Sequence, residues 1–488
     1  MIPFFFSLIP LCLILFLLFG LRLSAWKAGL VGCVFTSSMA LFTPFFEFTL
    51  HQLAMPIYQG SLTSLIVAYV IVFGIWLYHL LNEAKVIETM AKFISESTQD
   101  PIRQVLILTL AFSPLVESLS GFGIAMIVVA PILIALGVER MKAVLISLVS
   151  LCAVPWGTLG MGTVIGAQLG NLSVQTLGVG SALLSLPTFI YFALIILFLA
   201  GGWSALKSHF WEAFLAGSSM GVSVLLLNKY VSVELAGVFG SFMVMGVLLL
   251  FMNNRMELLK NRNIRRAFKP YLFLIVLLLL SRLIPDLKGF LLSHGVVIVE
   301  ELQYSLPLLY SPGFFLFLTC LFTIGIYRMK QKSIFLTLQL TRKQASPVIF
   351  ATLFFIILSE IMSEALMTQI IAEVTATFLG PLFLLVSPVI GGLGGFLTGS
   401  NTASNAMFIK LQVQAAQYIG ISPELTAYAQ NTASSHAIMA SPSRVLLGAT
   451  IAQIPELENE LLKRITLIAL GTLVVIILGL LFMYVVCP

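Results

Sequence analysis

The chain is 488 residues long, 59% hydrophobic and 9% charged, with a formal net charge of +6. Apolar runs long enough to cross a bilayer recur from Ile2 to Val486, and no gap between them could hold a soluble domain of ordinary size. A soluble catalytic domain is thereby excluded, and so is a nucleic-acid partner, because the cations sit in short interspan loops where they report orientation.

Residues 2–21 are the first expected span, since they lack the basic start and the small-residue cleavage motif of a signal peptide. Spans near 28–46 and 61–81 follow, with Arg22 and Lys27 inside and Glu47 and His51 outside. Between Glu83 and Gln99, Val86, Ile87, Met90 and Ile94 recur at helical spacing among charges, which predicts an interfacial arm. The stretch 104–137 is interrupted by Glu117-Ser-Leu-Ser-Gly-Phe-Gly123 and must start and finish on one face, so it reads as a hairpin. A broken span at 143–170 begins beside Arg140 and Lys142, and spans near 179–200, 210–228 and 233–252 come next.

The loop 253–269 carries Arg255, Lys260, Arg262, Arg265, Arg266 and Lys269 against Glu257 alone, which places it in the cytoplasm. Spans near 271–285, 312–327 and 347–373 are separated by a mixed loop with Glu300 and Glu301 and by a basic one at 328–343. A second interrupted hairpin at 381–420, a broken span at 424–451 and a last span at 465–486 complete the chain. The five cysteines (Cys12, Cys33, Cys152, Cys320, Cys487) show no paired spacing, so neither a disulfide framework nor a metal site is expected.

The order of elements repeats. A shift of 283 positions lays Leu136-Gly137-Val138 on Ile419-Gly420-Ile421, and the break at 155–161 on the break at 438–444. The expected fold is an all-α polytopic membrane protein of about 12 full spans plus two hairpins, built from two inverted-topology repeats, each with a re-entrant or broken-helix hairpin. Residues 1–205 form the first repeat, 206–255 hold linking spans, and 256–488 form the second.

Four polar interruptions would converge: 117–123, 155–163, 398–405 and 431–444. In hydrocarbon, unwound backbone survives only where protein or a water-filled cavity satisfies it, and half-helices that start there aim free amides at an anion. The candidate binding residues are Ser118, Ser120, Gly121, Gly123, Thr158, Gly160, Ser400, Asn401, Thr402, Asn405, Ser441 and Arg444. The same small residues would also serve tight helix packing.

Glu117 lies midway along its apolar hairpin, where an ionised group costs about 2.5–3.5 kcal/mol, so it is expected to be protonated, paired or hydrated. It is the candidate proton carrier; the plainer reading is a structural acid held by the hairpin's own amides. Arg444 can grip a carboxylate with two parallel hydrogen bonds, or else pair with Glu117 or snorkel toward the inner face. His436 is a second candidate coupling group, with a packing role as its alternative. Lys410 is either a cavity-facing residue or the partner of an acid such as Glu360 or Glu364.

With these residues laid out, the chain resembles the L-lactate permease family. Glu117-x-x-x-Gly121-Phe122-Gly123 and Gly157-Thr-Leu-Gly160 carry the first block of likeness. The second block is Ser387-Pro388-x-Ile390-Gly391, Thr398-Gly399-Ser400, Asn405-Ala406-x-Phe408, Leu411-Gln412 and Met439-x-Ser441-Pro442. Three positions depart from the family pattern: Asn401 stands where the family has Asp, Ile438 where it has Lys, and Arg444 has no charged counterpart. The resemblance implies a proton-coupled importer of lactate, glycolate or a related 2-hydroxy monocarboxylate in a bacterial inner membrane.

The expected partners are thus a small organic anion, a proton or sodium ion, and the lipid bilayer; a homo-oligomer is compatible with the sequence. Rival readings are a sodium-coupled transporter of another carboxylate and a non-cycling anion channel or sensor. A membrane enzyme ranks last, because no HExxH or GxSxG motif is present.

Overall fold

A computed structural model describes residues 2–46, 48–121, 123–251, 262–300 and 304–486. The expectations that rest on Glu47, Phe122, Arg255, Glu257, Lys260, Glu301 and Cys487 lie outside those residues. The protein is helical almost throughout. Among the described residues ten helices are long and apolar enough to cross a membrane, or up to twelve if each of two bent pairs is one span.

The chain begins with α1 (Ile2–Phe19), α2 (Ala25–Phe42) and α3 (Leu50–Glu83). α3 starts earlier than its apolar run because Thr49 and Gln52 form a reciprocal capping box, the Gln52 side chain accepting from the Thr49 amide at 2.8 Å. The expected arm is α4 (Val86–Ser97), and its Val86, Ile87, Met90 and Ile94 are buried. That face packs on protein.

The first interrupted region runs through Pro101–Leu106 (α5), a π-helical turn at Ile107–Phe112, Ser113–Ser120 (α6), and Ile124–Ala135 (α7). Gly121 and Gly123, at φ +62° and +73°, reverse the chain in a conformation that side chains resist. Next come Arg140–Val149 (α8), a 3₁₀ turn at Val154–Trp156, and Gly157–Leu169 (α9), bent by 57°. Buried Trp156 ties this break to the helix that follows at Phe210–Tyr230 through its Nε1, which donates to Asn228 Oδ1 at 3.2 Å. α10 (Val174–Ser208), α11 (Phe210–Tyr230) and α12 (Val233–Leu250) pack side by side.

Beyond the basic loop lie α13 (Arg262–Leu283) and α14 (Pro285–Ser293). The mixed loop also holds an antiparallel ribbon, β1 (Val296–Val299) on β2 (Tyr304–Pro307), with Val296 opposite Pro307. The run Val-Val-Ile-Val explains the strand, but charges on either side hid it. α15 is Pro312–Tyr327.

The span expected at 347–373 is instead a 34-residue helix, α16 (Gln331–Glu364), followed by a separate α17 (Met367–Leu379). Leu366, left-handed at φ +57°, makes the break, and the preceding basic stretch extends the helix because nothing in it stops one. α3 and α16 lie along each other, and a Cβ on Gly60 would come within 2.8 Å of Ile357, so the small residue sets the approach.

The second interrupted region is α18 (Phe383–Thr398), a turn at Gly399 and Ser400, and α19 (Asn401–Tyr418). The second break lies between α20 (Pro423–Ala437) and α21 (Pro442–Ile451), across a 3₁₀ turn at Ile438–Ala440, and α22 (Glu458–Val486) ends the chain. α18 packs on α20 and α19 on α9, which brings the breaks together.

Candidate functional site

The four interruptions surround a small cavity of about 40 Å³. Glu117 and Gly121 come from the first turn, Gly157, Thr158 and Gly162 from the first break, and Gly399, Ser400, Asn401 and Thr402 from the second turn. Ile438 and Arg444 come from the second break, and Ile71 of α3 closes a side. At this size the cavity holds a few waters, so an organic acid enters only when the walls move apart.

Local chemistry explains each placement. Ser400 caps α19, its Oγ accepting from the Ala403 amide at 3.3 Å, and Ser441 caps α21, its Oγ accepting from the Arg444 amide at 3.4 Å. The N-termini of α7, α9, α19 and α21 all start at these breaks, where amides lack helical partners and the dipole end is positive. Thr158, Leu159 and Gly160 take left-handed values of φ, +38°, +49° and +78°, so the first break is a strained turn rather than a bend.

Among the described residues, Glu117 and Arg444 are the charged groups of the cavity wall. Glu117 Oε1 accepts from the Gly123 amide at 3.2 Å, whereas its Oε2 has no protein partner. Arg444 reaches the Gly399 carbonyl with Nη2 at 3.4 Å. The two charges interact across the cavity without sharing a hydrogen bond. Thr158 Oγ1 and Asn401 Oδ1 are likewise buried without partners, so three oxygen atoms on this wall remain to be satisfied by something other than the protein.

Behind the wall, Asn431 is a fully buried hub. Its Oδ1 accepts from Asn401 Nδ2 at 2.9 Å and Asn405 Nδ2 at 2.8 Å, and its Nδ2 donates to Thr163 Oγ1 at 3.1 Å and Ser181 Oγ at 2.8 Å. Asn405 Nδ2 also donates to the Gly162 carbonyl at 2.9 Å. One amide therefore joins α9, α10 and α19 to α20.

Of the residues expected from sequence, Glu117, Gly121, Thr158, Ser400, Asn401, Thr402 and Arg444 line the cavity. Gly123 supports Glu117, and Asn405 and Ser441 hold the wall from behind. Ser118 and Ser120 turn their hydroxyls back to the Pro114 and Val116 carbonyls, at 2.7 and 2.6 Å, and Gly160 lies against Val233. His436 is also set apart: its Nε2 meets Ser185 and Thr188 hydroxyls at 3.3 and 3.1 Å, between the rings of Phe189 and Phe192. Lys410 pairs with Glu360 at 2.7 Å, joining α19 to α16. Ile71 was not singled out, and Asn431 entered only as the first residue of the fourth interruption, not as a candidate site residue; Ile71 carries no signal in a plain apolar span, but an Asn inside a helix of small polar residues was a visible one.

Comparison with known proteins now adds to this geometry. The sequence model described as L-lactate permease matches residues 3–309 and 298–487. An L-lactate permease of Streptococcus iniae is 27% identical over 439 residues, covering 86% of this chain and 91% of that protein. The glycolate permease GlcA of Escherichia coli K12 is 24% identical, covering 94% of this chain and 91% of its own. Among solved structures, the Alcanivorax borkumensis YdaH transporter superposes with a TM-score of 0.49 at 14% identity, covering 94% of this chain and 97% of that one.

Proposed function

Because the chain belongs to the L-lactate permease family, we propose that it is a secondary active transporter of a 2-hydroxy monocarboxylate, such as lactate or glycolate, coupled to a proton. It is an integral membrane protein of transport rather than an enzyme, and the bacterial inner membrane is its proposed place. One observation carries the reading: Glu117, with an oxygen free of protein partners, and Arg444 line one cavity bounded by four helix breaks.

In the proposed cycle Arg444 and the converging helix N-termini take the carboxylate. Glu117 carries the proton, and Thr158 and Asn401 are within the wall to meet the substrate's hydroxyl. The charges balance in both directions. Loaded, the site holds Arg⁺, the anion and a neutral Glu117; empty, it holds Arg⁺ and Glu⁻. Either half-loaded form carries an unpaired charge, which hydrocarbon penalises. Coupling follows from that penalty.

Two copies of one unit underlie the motion. Helices α3, α4, α8, α9 and α10 start 281 to 285 residues before α16, α17, α20, α21 and α22, which supports repeats over 1–205 and 256–488 joined by 206–255. With the basic loops inside, the first hairpin opens inward and the second outward, an inverted arrangement with its site at the midplane.

A sodium ion in place of the proton has one observation in its favour, the three unpartnered oxygens of Glu117, Thr158 and Asn401 on one wall. Uptake of labelled lactate into proteoliposomes under separate proton and sodium gradients decides. Accumulation with the proton gradient alone is expected; accumulation only with sodium replaces the coupling ion, and none with either ends the transport reading for lactate.

A further inference from the structure

A second cavity, of about 560 Å³, adjoins the first. Its walls come from the start of α10, the α11–α12 turn, the end of α13, β2 and the start of α15, all of them outer ends in the topology proposed above. Lys229, Arg282 and Lys288 line it against Glu234. Arg282 is already neutralised, held by Glu234 at 3.0 Å and stacked over the Tyr310 ring at 3.7 Å. Among the described residues, Lys229 and Lys288 are exposed and give the lining a surplus of positive charge, the sign that draws in a small anion. Ser232 adds a buried hydroxyl oxygen without a protein partner to the same wall.

The two cavities share Met161. Along α3 their walls are marked by Ile66 and Ile71, about 7.5 Å apart at the usual helical rise. Met161 is buried and hangs directly from the left-handed turn of Thr158, Leu159 and Gly160. Two of those three residues carry side chains, a conformation costing about 1–2 kcal/mol each. Val233, another lining residue of the larger cavity, presses on the turn, where a Cβ on Gly160 would lie 2.9 Å from its Cγ1. A flexible thioether on a strained turn, between a charged chamber and a much smaller central cavity, has the form of a gate.

We propose that the larger cavity is the outer antechamber of the transport path, where a small monocarboxylate is held before it enters the central site, and that Met161 is the gate between them. The proposal rests on the transport reading and deepens it. Lys229 and Lys288 raise the local anion concentration, and rotation of Met161 with relaxation of its turn opens the way inward.

The test uses Ser232→Cys and Met161→Cys in a background whose five cysteines are replaced by serine. A membrane-impermeant, negatively charged methanethiosulfonate is added to either face of oriented vesicles. Both cysteines are expected to react from the outer face, Met161→Cys about tenfold more slowly when lactate saturates the path, and modified Ser232→Cys is expected to lose about tenfold in uptake rate. Faster labelling of Met161→Cys from the inner face, or full uptake after Ser232→Cys is modified, overturns the antechamber and leaves transport standing. Absent uptake in the unmodified background sinks the transport reading instead, and the sidedness of labelling still judges the chamber. Should Met161→Cys fail to fold, Ser232→Cys on its turn keeps the decision open to measurement. The double change Lys229→Gln and Lys288→Gln is expected to raise KM about tenfold at low ionic strength, a difference that closes in high salt; an unchanged KM at low salt counts against the chamber's field.

Discussion

Replacing Glu117 with Gln is expected to turn a concentrating transporter into an exchanger. The substitution keeps the shape of the side chain and its contact with the Gly123 amide region, but removes the one acid among the described residues of the cavity wall. Loaded with an anion, the variant site is neutral, because Arg444 balances the substrate. Empty, it carries one unpaired positive charge. Returning that charge through the bilayer costs about 2.5–3.5 kcal/mol on the insertion scale. At 1.36 kcal/mol per factor of ten, the empty return slows by about 70- to 400-fold.

Proteoliposomes separate the two modes. Counterflow of labelled against unlabelled lactate needs only loaded transits and is expected to stay near the parent rate, whereas net uptake driven by a pH gradient falls by the factor above. Voltage gives an independent reading. The parent's uptake is expected to be indifferent to a potassium diffusion potential, but the variant's residual efflux returns an unbalanced charge, for which 100 mV is worth about 2.3 kcal/mol. Uphill accumulation by Glu117→Gln at parental rates would remove Glu117 from coupling and with it the charge-balance argument.

Arg444→Ala is expected to raise the dissociation constant for lactate by about ten- to a hundredfold, the loss of a charge-assisted pair, with Arg444→Lys recovering little because it lacks the planar fork; binding calorimetry on purified protein checks both. Asn431→Ala strands the Asn401 amide and the Ser181 hydroxyl and takes one of two partners from Asn405 Nδ2 and Thr163 Oγ1, so a loss of about 2–5 kcal/mol is expected, read as a lower unfolding temperature in detergent. His436→Gln is expected to leave proton-driven uptake in place, since its ring sits among Phe189, Phe192, Ser185 and Thr188 outside the cavity wall; loss of coupling with binding intact would restore it to the pathway. Asp100 caps α5 just outside the first interrupted region. Burial opposes its ionisation, but hydrogen bonds from His209 and from the Arg103 and Ile102 amides outweigh that and hold its carboxyl below the ordinary value. Its contribution to stability is therefore complete above about pH 4 and is lost as pH falls through the lower folded value, so Asp100→Asn is expected to flatten the acid limb of a stability profile.

Much of the site was legible because membrane interiors punish polar residues. Glu117, the Thr398 to Asn405 run and the Pro442 to Arg444 break are written in residue types that hydrocarbon tolerates only at an enclosed cavity, and those segments do meet. Facing was not legible. Ser118 and Ser120 belong to the same motif as Glu117, yet their hydroxyls fold back on their own helix, a choice that only the packed neighbours decide. Ile71 lines the cavity from an ordinary apolar helix, and its position depends on how α3 lies beside α9. The left-handed turn at Thr158 and Leu159 was hidden too, because neither residue is a type that advertises such a backbone. Lys410 had several acids within sequence reach, and tertiary packing selected Glu360.

The paired α3 and α16 have a consequence for the lipid. Each has 34 residues and so measures about 51 Å, against a hydrocarbon layer of about 30 Å. Both rods must lean or emerge well into the headgroups, and acyl chains of different length will change their pitch. Tail length thus becomes a physical dial on turnover, one that acts through the frame rather than through the substrate.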